Sequence, residues 1–404
     1  MIKNLEETFS VSAQNMKRSA IRELLKLTQR PEVISFAGGL PAPESFPIED
    51  LKKITTEIYD TDGPAALQYG ATEGVTELRE VLVERYQKQG IDIKLENLVI
   101  TTSSQQGLDT LGKIFINRGD KIICGLPSYL GGLSAFSTYG ADLVGVKFDD
   151  QGMRADLLEQ TLEGMKQKGE KPKFLYIIPD FQNPAGITMP ESRRLAIIEI
   201  AKKYDVLIVE DSPYREVRFE GEPQRMMYDL DDSGHVITLG TFSKIFVPGF
   251  RIGWVMAHEK IIDKMVVSKQ TADLCTPTLN QMIAAKYIKQ GYFDKNLTAI
   301  IDQYRDKRDN MLTAFREFMP KGVTWTEPEG GLFLFLSLPE GMDSEELFKK
   351  AIENNVAFVI GKVFHCDGSG ENTMRINFSF MSKEKTTEGV KRLAQAIKEM
   401  MNEK

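Results

Sequence analysis

Between residues 97 and 257, short apolar and β-branched runs alternate with longer stretches of mixed polarity. The runs cover residues 97–101, 121–125, 143–146, 174–179, 206–210, 236–240 and 252–256. Runs this short and this continuously apolar suit strands buried on both faces, so the alternation predicts seven strands in a mainly parallel sheet between helices. Within residues 190–204, Leu195, Ile198, Ile200 and Ala201 mark one of the covering helices. The fold class that follows is α/β.

Outside this block the pattern changes. Residues 12–29 are amphipathic up to Pro31, and Gly38-Gly-Leu-Pro-Ala-Pro-Glu-Ser-Phe-Pro47 is too rich in Gly and Pro for regular structure. Residues 293–318 read as a long charged helix, followed by strands at 323–326, 332–336 and 373–378 and helices at 344–354 and 382–401. These form a smaller α+β lobe. At roughly 100–200 residues per domain, 404 residues hold two or three lobes. The junction is expected near residues 290–300.

Composition narrows the function classes. Apolar residues at 42% and charged residues at 27% are those of a folded globular chain. With 58 acidic against 51 basic residues the net charge is −7, so there is no excess positive field to hold a nucleic acid. Cys124, Cys275 and Cys366 form no Cys-x-x-Cys pair, and no disulfide framework is expected. The N-terminus lacks an apolar leader and no run reaches the roughly 18 apolar residues of a spanning helix, so a cytoplasmic chain without membrane contact is expected. P-loop, dinucleotide, zinc-protease and nucleophile-elbow motifs are absent, no metal site is indicated, and only three His are available. Chemistry therefore falls to Lys, Asp, Tyr and Arg.

Those residues cluster at strand ends. Gly240-Thr-Phe-Ser-Lys-Ile-Phe-Val-Pro-Gly-Phe-Arg-Ile-Gly253 follows an apolar strand and offers the hydroxyls of Thr241 and Ser243 with Arg251, the donors a phosphate monoester needs, around Lys244. In an apolar setting such a lysine can form a Schiff base with an aldehyde. Alone, the segment also suits a solvated loop charge. Val206-Leu-Ile-Val209 runs into Glu210-Asp-Ser-Pro-Tyr214, placing Asp211 where ligands of open α/β sheets gather and where a carboxylate can hold a pyridine nitrogen protonated. A turn cap is the plainer use of such an Asp. Asn183 precedes a proline in Ile178-Pro-Asp-Phe-Gln-Asn-Pro-Ala-Gly186, a turn signal that could also aim its amide outward, to contact both a ring oxygen and a substrate carboxylate. Ser104 and Gln105 begin a helix after Thr101-Thr-Ser, as an anion site or as simple caps.

The order of these motifs resembles the fold-type I, pyridoxal-phosphate-dependent aminotransferases of class I/II, over nearly the whole chain. Ile21-Arg-Glu-Leu-Leu-Lys-Leu-Thr-Gln-Arg-Pro31, Ser35-Phe-Ala-Gly-Gly-Leu-Pro-Ala-Pro43, Leu67-Gln-Tyr69 and Thr276-Pro-Thr-Leu-Asn-Gln281 resemble more narrowly the bacterial 2-aminoadipate aminotransferases related to kynurenine aminotransferases. The resemblance implies an N-terminal helix and substrate loop at 1–45 packed with the small domain, a large cofactor-binding domain at 46–295, and a small C-terminal domain at 296–404. It implies pyridoxal 5'-phosphate as cofactor and a ping-pong transfer of the amino group from an L-amino acid, 2-aminoadipate or glutamate favoured, to a 2-oxo acid such as 2-oxoglutarate.

Residue by residue, the resemblance makes Lys244 the covalent anchor and proton shuttle, with Asp211 on the ring nitrogen, Tyr214 and Asn183 on the ring oxygen, and Tyr129 stacked on the ring. Ser104, Gln105, Thr241, Ser243 and Arg251 take the phosphate, and Tyr69 reaches the phosphate of a neighbouring subunit, which implies a homodimer with shared sites. Arg375 clamps the substrate α-carboxylate, Gly39 leaves room beside it, and Arg22 with Ser19 faces the distal carboxylate of acidic substrates. Three positions depart from the family pattern: Ala185 in Asn183-Pro-Ala-Gly186, Thr241 for the first serine of Ser-x-Ser-Lys, and Ser212 for a second Asp. Aromatic, kynurenine or branched-chain amino acids are the alternative substrates. A lyase on the same cofactor and a non-catalytic regulatory domain are the remaining rivals.

Overall fold

The structure, a computed structural model, describes residues 5–16 and 30–403. Its main sheet has eight strands, in the order Leu98–Thr102, Ile252–Met256, Val236–Thr241, Leu207–Asp211, Phe174–Ile177, Lys121–Leu126, Asp142–Asp149 and Gly152–Met153. The five from Val236–Thr241 to Asp142–Asp149 run parallel. Ile252–Met256 is antiparallel to both neighbours. All seven runs predicted from the sequence are strands here; the eighth, Gly152–Met153, is a two-residue return of a hairpin too short to leave a pattern.

Apart from Asp142–Asp149, where only Val146 is buried, the longer strands are buried on both faces, and the alternation is visible residue by residue. Ile122 and Cys124 join the larger core with helices Ser103–Phe115 and Leu130–Thr138, while Ile123 joins a second core with helices Ala155–Gln167 and Glu191–Tyr204. Continuous apolar runs are what such a two-sided position demands. Burying Ile122 and Ile123 on opposite faces contributes about 1.5–3 kcal/mol each, so polar replacement of either disrupts one whole layer contact.

The C-terminal region carries a four-stranded antiparallel sheet, Thr324–Trp325, Phe333–Ser337, Thr373–Asn377 and Val359–Ile360 in that order. Helices Tyr292–Phe318 and Lys383–Asn402 pack together beside it. Ile34–Ser35 pairs in parallel with Val356–Ala357, which binds the N-terminal segment to this region and leads the chain through Phe36 into the 37–40 loop. The segment Ile48–Ala66, unassigned by the residue pattern, is helical with a break at Asp62 (φ −135°), two residues before Pro64. Proline lacks the N–H that the preceding turn needs and its ring crowds that turn. The three cysteines are free thiols. No described helix is long and apolar enough to cross a membrane.

Candidate active site

Four parallel strands, Lys121–Leu126, Phe174–Ile177, Leu207–Asp211 and Val236–Thr241, end along one edge of the sheet. The segments that leave them carry Tyr129, Asn183, Asp211 with Tyr214, and Lys244. Loops at strand carboxyl ends are where open α/β sheets place ligands.

Lys244 is half-buried, and its Nζ donates to the Gly39 carbonyl at 2.8 Å. Desolvation, reinforced by Arg375 and Arg251, pushes its pKa down to about 8. Roughly a tenth of the amine is then free at pH 7, against well under a thousandth for an ordinary lysine.

Asp211 is 2% exposed. Its Oδ2 accepts from the Tyr176 hydroxyl at 2.8 Å, while Oδ1 is buried with no hydrogen-bond partner among the described residues. Burial raises its pKa to about 6, and the Tyr176 hydrogen bond pulls the other way. Tyr214 receives a hydrogen bond from Asn183 Nδ2 at 3.3 Å, and burial pushes its phenol up.

Arg375, on the strand Thr373–Asn377, donates from Nη1 to Asn183 Oδ1 at 2.9 Å and from Nη2 to the Ala37 carbonyl at 2.8 Å. The guanidinium lies 4.2 Å from the ring centre of Phe333 and 5.2 Å from that of Phe364. Desolvation lowers its pKa to about 10, so it stays cationic at neutral pH. Its Nε is also without a partner among the described residues.

A second cluster gathers polar donors. Arg251, left-handed at φ 55°, donates from Nη2 to the Ser103 hydroxyl. Thr241 Oγ1 lies 3.0 Å from Ser243 Oγ and accepts from the Ser243 amide. Ser104 Oγ donates to the Gly240 carbonyl, and Gln105 Nε2 to that of Gly131. Ser103 and Ser104 begin the helix Ser103–Phe115, whose first turn has unpaired amides and a positive dipole end. That turn rests on bare backbone: a Cβ at Gly253 would lie 2.6 Å from Ser104 N.

The structure thus brings together Lys244, Gly39, Arg375, Asn183 and Tyr214, and separately joins Arg251, Thr241, Ser243, Ser104 and Gln105 to the adjacent strand ends. Tyr129 precedes the helix Leu130–Thr138, close against Gly131. Tyr69 is 78% exposed in the single chain and shares none of these contacts. Ser19 and Arg22 lie outside the described residues.

The residue pattern missed four contributors. Tyr176 reads as a core aromatic, although a tyrosine in a buried strand needs a partner for its hydroxyl. Gln182, 2% exposed, donates to the Pro127 carbonyl at 2.9 Å and accepts from the Ala185 amide at 2.7 Å, bracing the Tyr129 and Asn183 loops together. Phe333 and Phe364 flank Arg375 from strands and turns that carry no motif.

These residues fit pyridoxal 5'-phosphate: an amine of lowered pKa, a buried carboxylate with an unpartnered oxygen, and phosphate donors at a helix N-terminus. The family model for aminotransferase class I and II matches residues 32–393. The aromatic-amino-acid aminotransferase 1 of Thermococcus litoralis is 49% identical, covering 98% of this chain and 95% of its own. The 2-aminoadipate transaminase of Thermus thermophilus is 41% identical, with 98% of each covered. The crystal structure of Pyrococcus horikoshii kynurenine aminotransferase, solved with PMP, superposes with a TM-score of 0.96 at 45% identity, over 99% of both chains. The chain belongs to the class I and II aminotransferases, enzymes of fold type I that depend on pyridoxal 5'-phosphate.

Proposed function

We propose that this aminotransferase takes its amino group from an acidic L-amino acid, 2-aminoadipate or glutamate, passes it to a 2-oxo acid such as 2-oxoglutarate in a ping-pong cycle, and tolerates other side chains. The observation that carries the amino-acid reading is one loop: the Gly39 carbonyl holds Lys244 Nζ and the Ala37 carbonyl holds Arg375 Nη2. A proton-transferring amine and a carboxylate-binding fork are thereby held at positions two residues apart, as an α-amino acid requires. When bound, the cofactor supplies a carbonyl that takes up the amino group and a ring that withdraws electrons from the substrate α-carbon.

The chain's own residues do the rest. Arg375 binds the α-carboxylate with its planar fork. Lys244 anchors the cofactor and moves the proton at the α-carbon, work for which a pKa near neutrality is suited. Asp211 pairs with the ring nitrogen, Asn183 and Tyr214 bind the ring oxygen, and Tyr129 covers the ring. Ser104, Gln105, Thr241, Ser243 and Arg251 bind the phosphate. Gly39 keeps the substrate side open: a Cβ there would already meet Phe333 at 3.1 Å. The exposure of Tyr69 supports its engaging a second copy in a homodimer. A cytoplasmic location and a division at residues 45/46 and 295/296 complete the proposal.

For the side chain of the donor, the relative named for 2-aminoadipate supports the acidic reading, with Ser19 and Arg22 as its contacts. Relatives named for aromatic amino acids and kynurenine favour a second reading, an aromatic donor. The test is kcat/KM for 2-aminoadipate, glutamate, phenylalanine, kynurenine and leucine with 2-oxoglutarate as acceptor. The acidic donors are expected to lead; an aromatic donor ahead of both would replace the first reading with the second.

A further inference from the structure

Tyr176 is the one polar side chain of the strand Phe174–Ile177 and is 1% exposed. It pairs in register with Val209, so strand periodicity puts it on the face shared by Val209 and Asp211. Its ring meets Phe136 edge-on at 5.4 Å. On the helix side it lies against bare backbone: a Cβ at Gly132 would sit 2.7 Å from Tyr176 Cζ. The ring is therefore held in one orientation, with its hydroxyl 2.8 Å from Asp211 Oδ2.

We infer that Tyr176 is a positioning residue which, through Asp211, keeps the shared proton on the nitrogen of the cofactor ring. This rests on the reading that Asp211 faces that nitrogen. Tyr176 is the only hydrogen-bond donor to the Asp211 side chain among the described residues. The other titratable groups at this corner are the phenols of Tyr129, before the helix Leu130–Thr138, and Tyr214, on Asp211's own segment. Lys244 feels Arg375 and Arg251 as its charged neighbours. Among the described residues no cation therefore holds the carboxylate in its ionised form. Burial drives Asp211 toward protonation, and the Tyr176 hydroxyl is what opposes it. Remove the hydroxyl, and Asp211 becomes a stronger base. The proton it shares with the ring nitrogen then moves toward the carboxylate, and the ring withdraws electrons less strongly.

The experiment reconstitutes the full-length enzyme with cofactor labelled with 15N in the ring and reads the nitrogen chemical shift, which separates pyridinium from neutral pyridine. Tyr176→Phe keeps the packed ring and deletes the donor. Its 15N signal is expected to move from the pyridinium value toward the neutral one, with kcat falling roughly tenfold, the scale of one hydrogen bond to a charged group, and KM unchanged. 3-Fluorotyrosine at position 176, a stronger donor of nearly the same shape, is expected to move the signal further to the pyridinium side than in the wild type, and it carries the test if the phenylalanine variant folds poorly. A nitrogen signal and kcat identical in wild type, Tyr176→Phe and the fluorotyrosine enzyme would overturn the inference while leaving Asp211 in place. A neutral nitrogen already in the wild type would overturn the Asp211 assignment and this inference with it.

Discussion

Arg375 and Asn183, 192 positions apart, are joined by a buried 2.9 Å hydrogen bond from guanidinium to side-chain carbonyl. It ties the small antiparallel sheet to the turn after the strand Phe174–Ile177 of the main sheet. The carboxylate fork and the amide assigned to the ring oxygen therefore move as one unit. Arg375→Lys removes the planar fork and is expected to cost about 1.5–3 kcal/mol in kcat/KM, about 10- to 100-fold, for every amino donor regardless of side chain. Steady-state kinetics with 2-aminoadipate and phenylalanine checks this; a loss confined to one of them would reassign Arg375 to side-chain recognition.

Lys244→Ala is expected to abolish borohydride trapping of the cofactor and to lower turnover by at least roughly 10³-fold, within the range of lost acid–base catalysis. Peptide mapping after reduction reads the trapped residue, and any other lysine there contradicts the assignment. The lowered pKa makes a second outcome measurable. Capture of the cofactor needs the free amine, so the rate of uptake by apoenzyme should rise tenfold per pH unit below about 8 and level off above it. A rate still climbing at pH 10 would mean an ordinary lysine.

Arg22→Ala is expected to weaken acidic donors by roughly 1.5–3 kcal/mol while sparing leucine and phenylalanine. The motivation is the resemblance of residues 21–31 to the 2-aminoadipate enzymes. Comparing kcat/KM for the two donor classes decides it, since equal losses would indicate a structural role.

Gly253→Ala puts a methyl carbon 2.6 Å from Ser103 C and Ser104 N, backbone atoms that cannot swing aside. The helix start beneath the phosphate donors must shift. A loss of about 1–3 kcal/mol in stability is expected, the usual cost of overpacking, with weaker cofactor binding. Thermal unfolding and fluorescence titration of apoenzyme measure the two; unchanged cofactor affinity would separate this turn from the phosphate site.

Much of the main sheet was legible because most of its strands are buried on both faces, which forces continuous apolar runs such as residues 206–210 and 236–240. Lys244, Asp211 and Asn183 were legible because each sits at a strand end beside unusual polar neighbours. The pairing of Ile34–Ser35 with Val356–Ala357 was not, since two-residue strands carry no periodicity and their partner is over 300 residues away. Nor were the carbonyls of Ala37 and Gly39, which hold Arg375 and Lys244: a backbone acceptor leaves no signature in side-chain identity. Tyr176 stayed hidden because its ring satisfies the apolar pattern while its hydroxyl does the polar work.

The most direct measurement is the absorbance spectrum of the purified enzyme before and after adding L-2-aminoadipate, with no 2-oxo acid present. Loss of the cofactor's long-wavelength band, restored by 2-oxoglutarate, is the expected result and establishes both halves of the transfer with an acidic donor. A band that ignores 2-aminoadipate and glutamate but falls with phenylalanine or kynurenine would contradict the acidic-donor account.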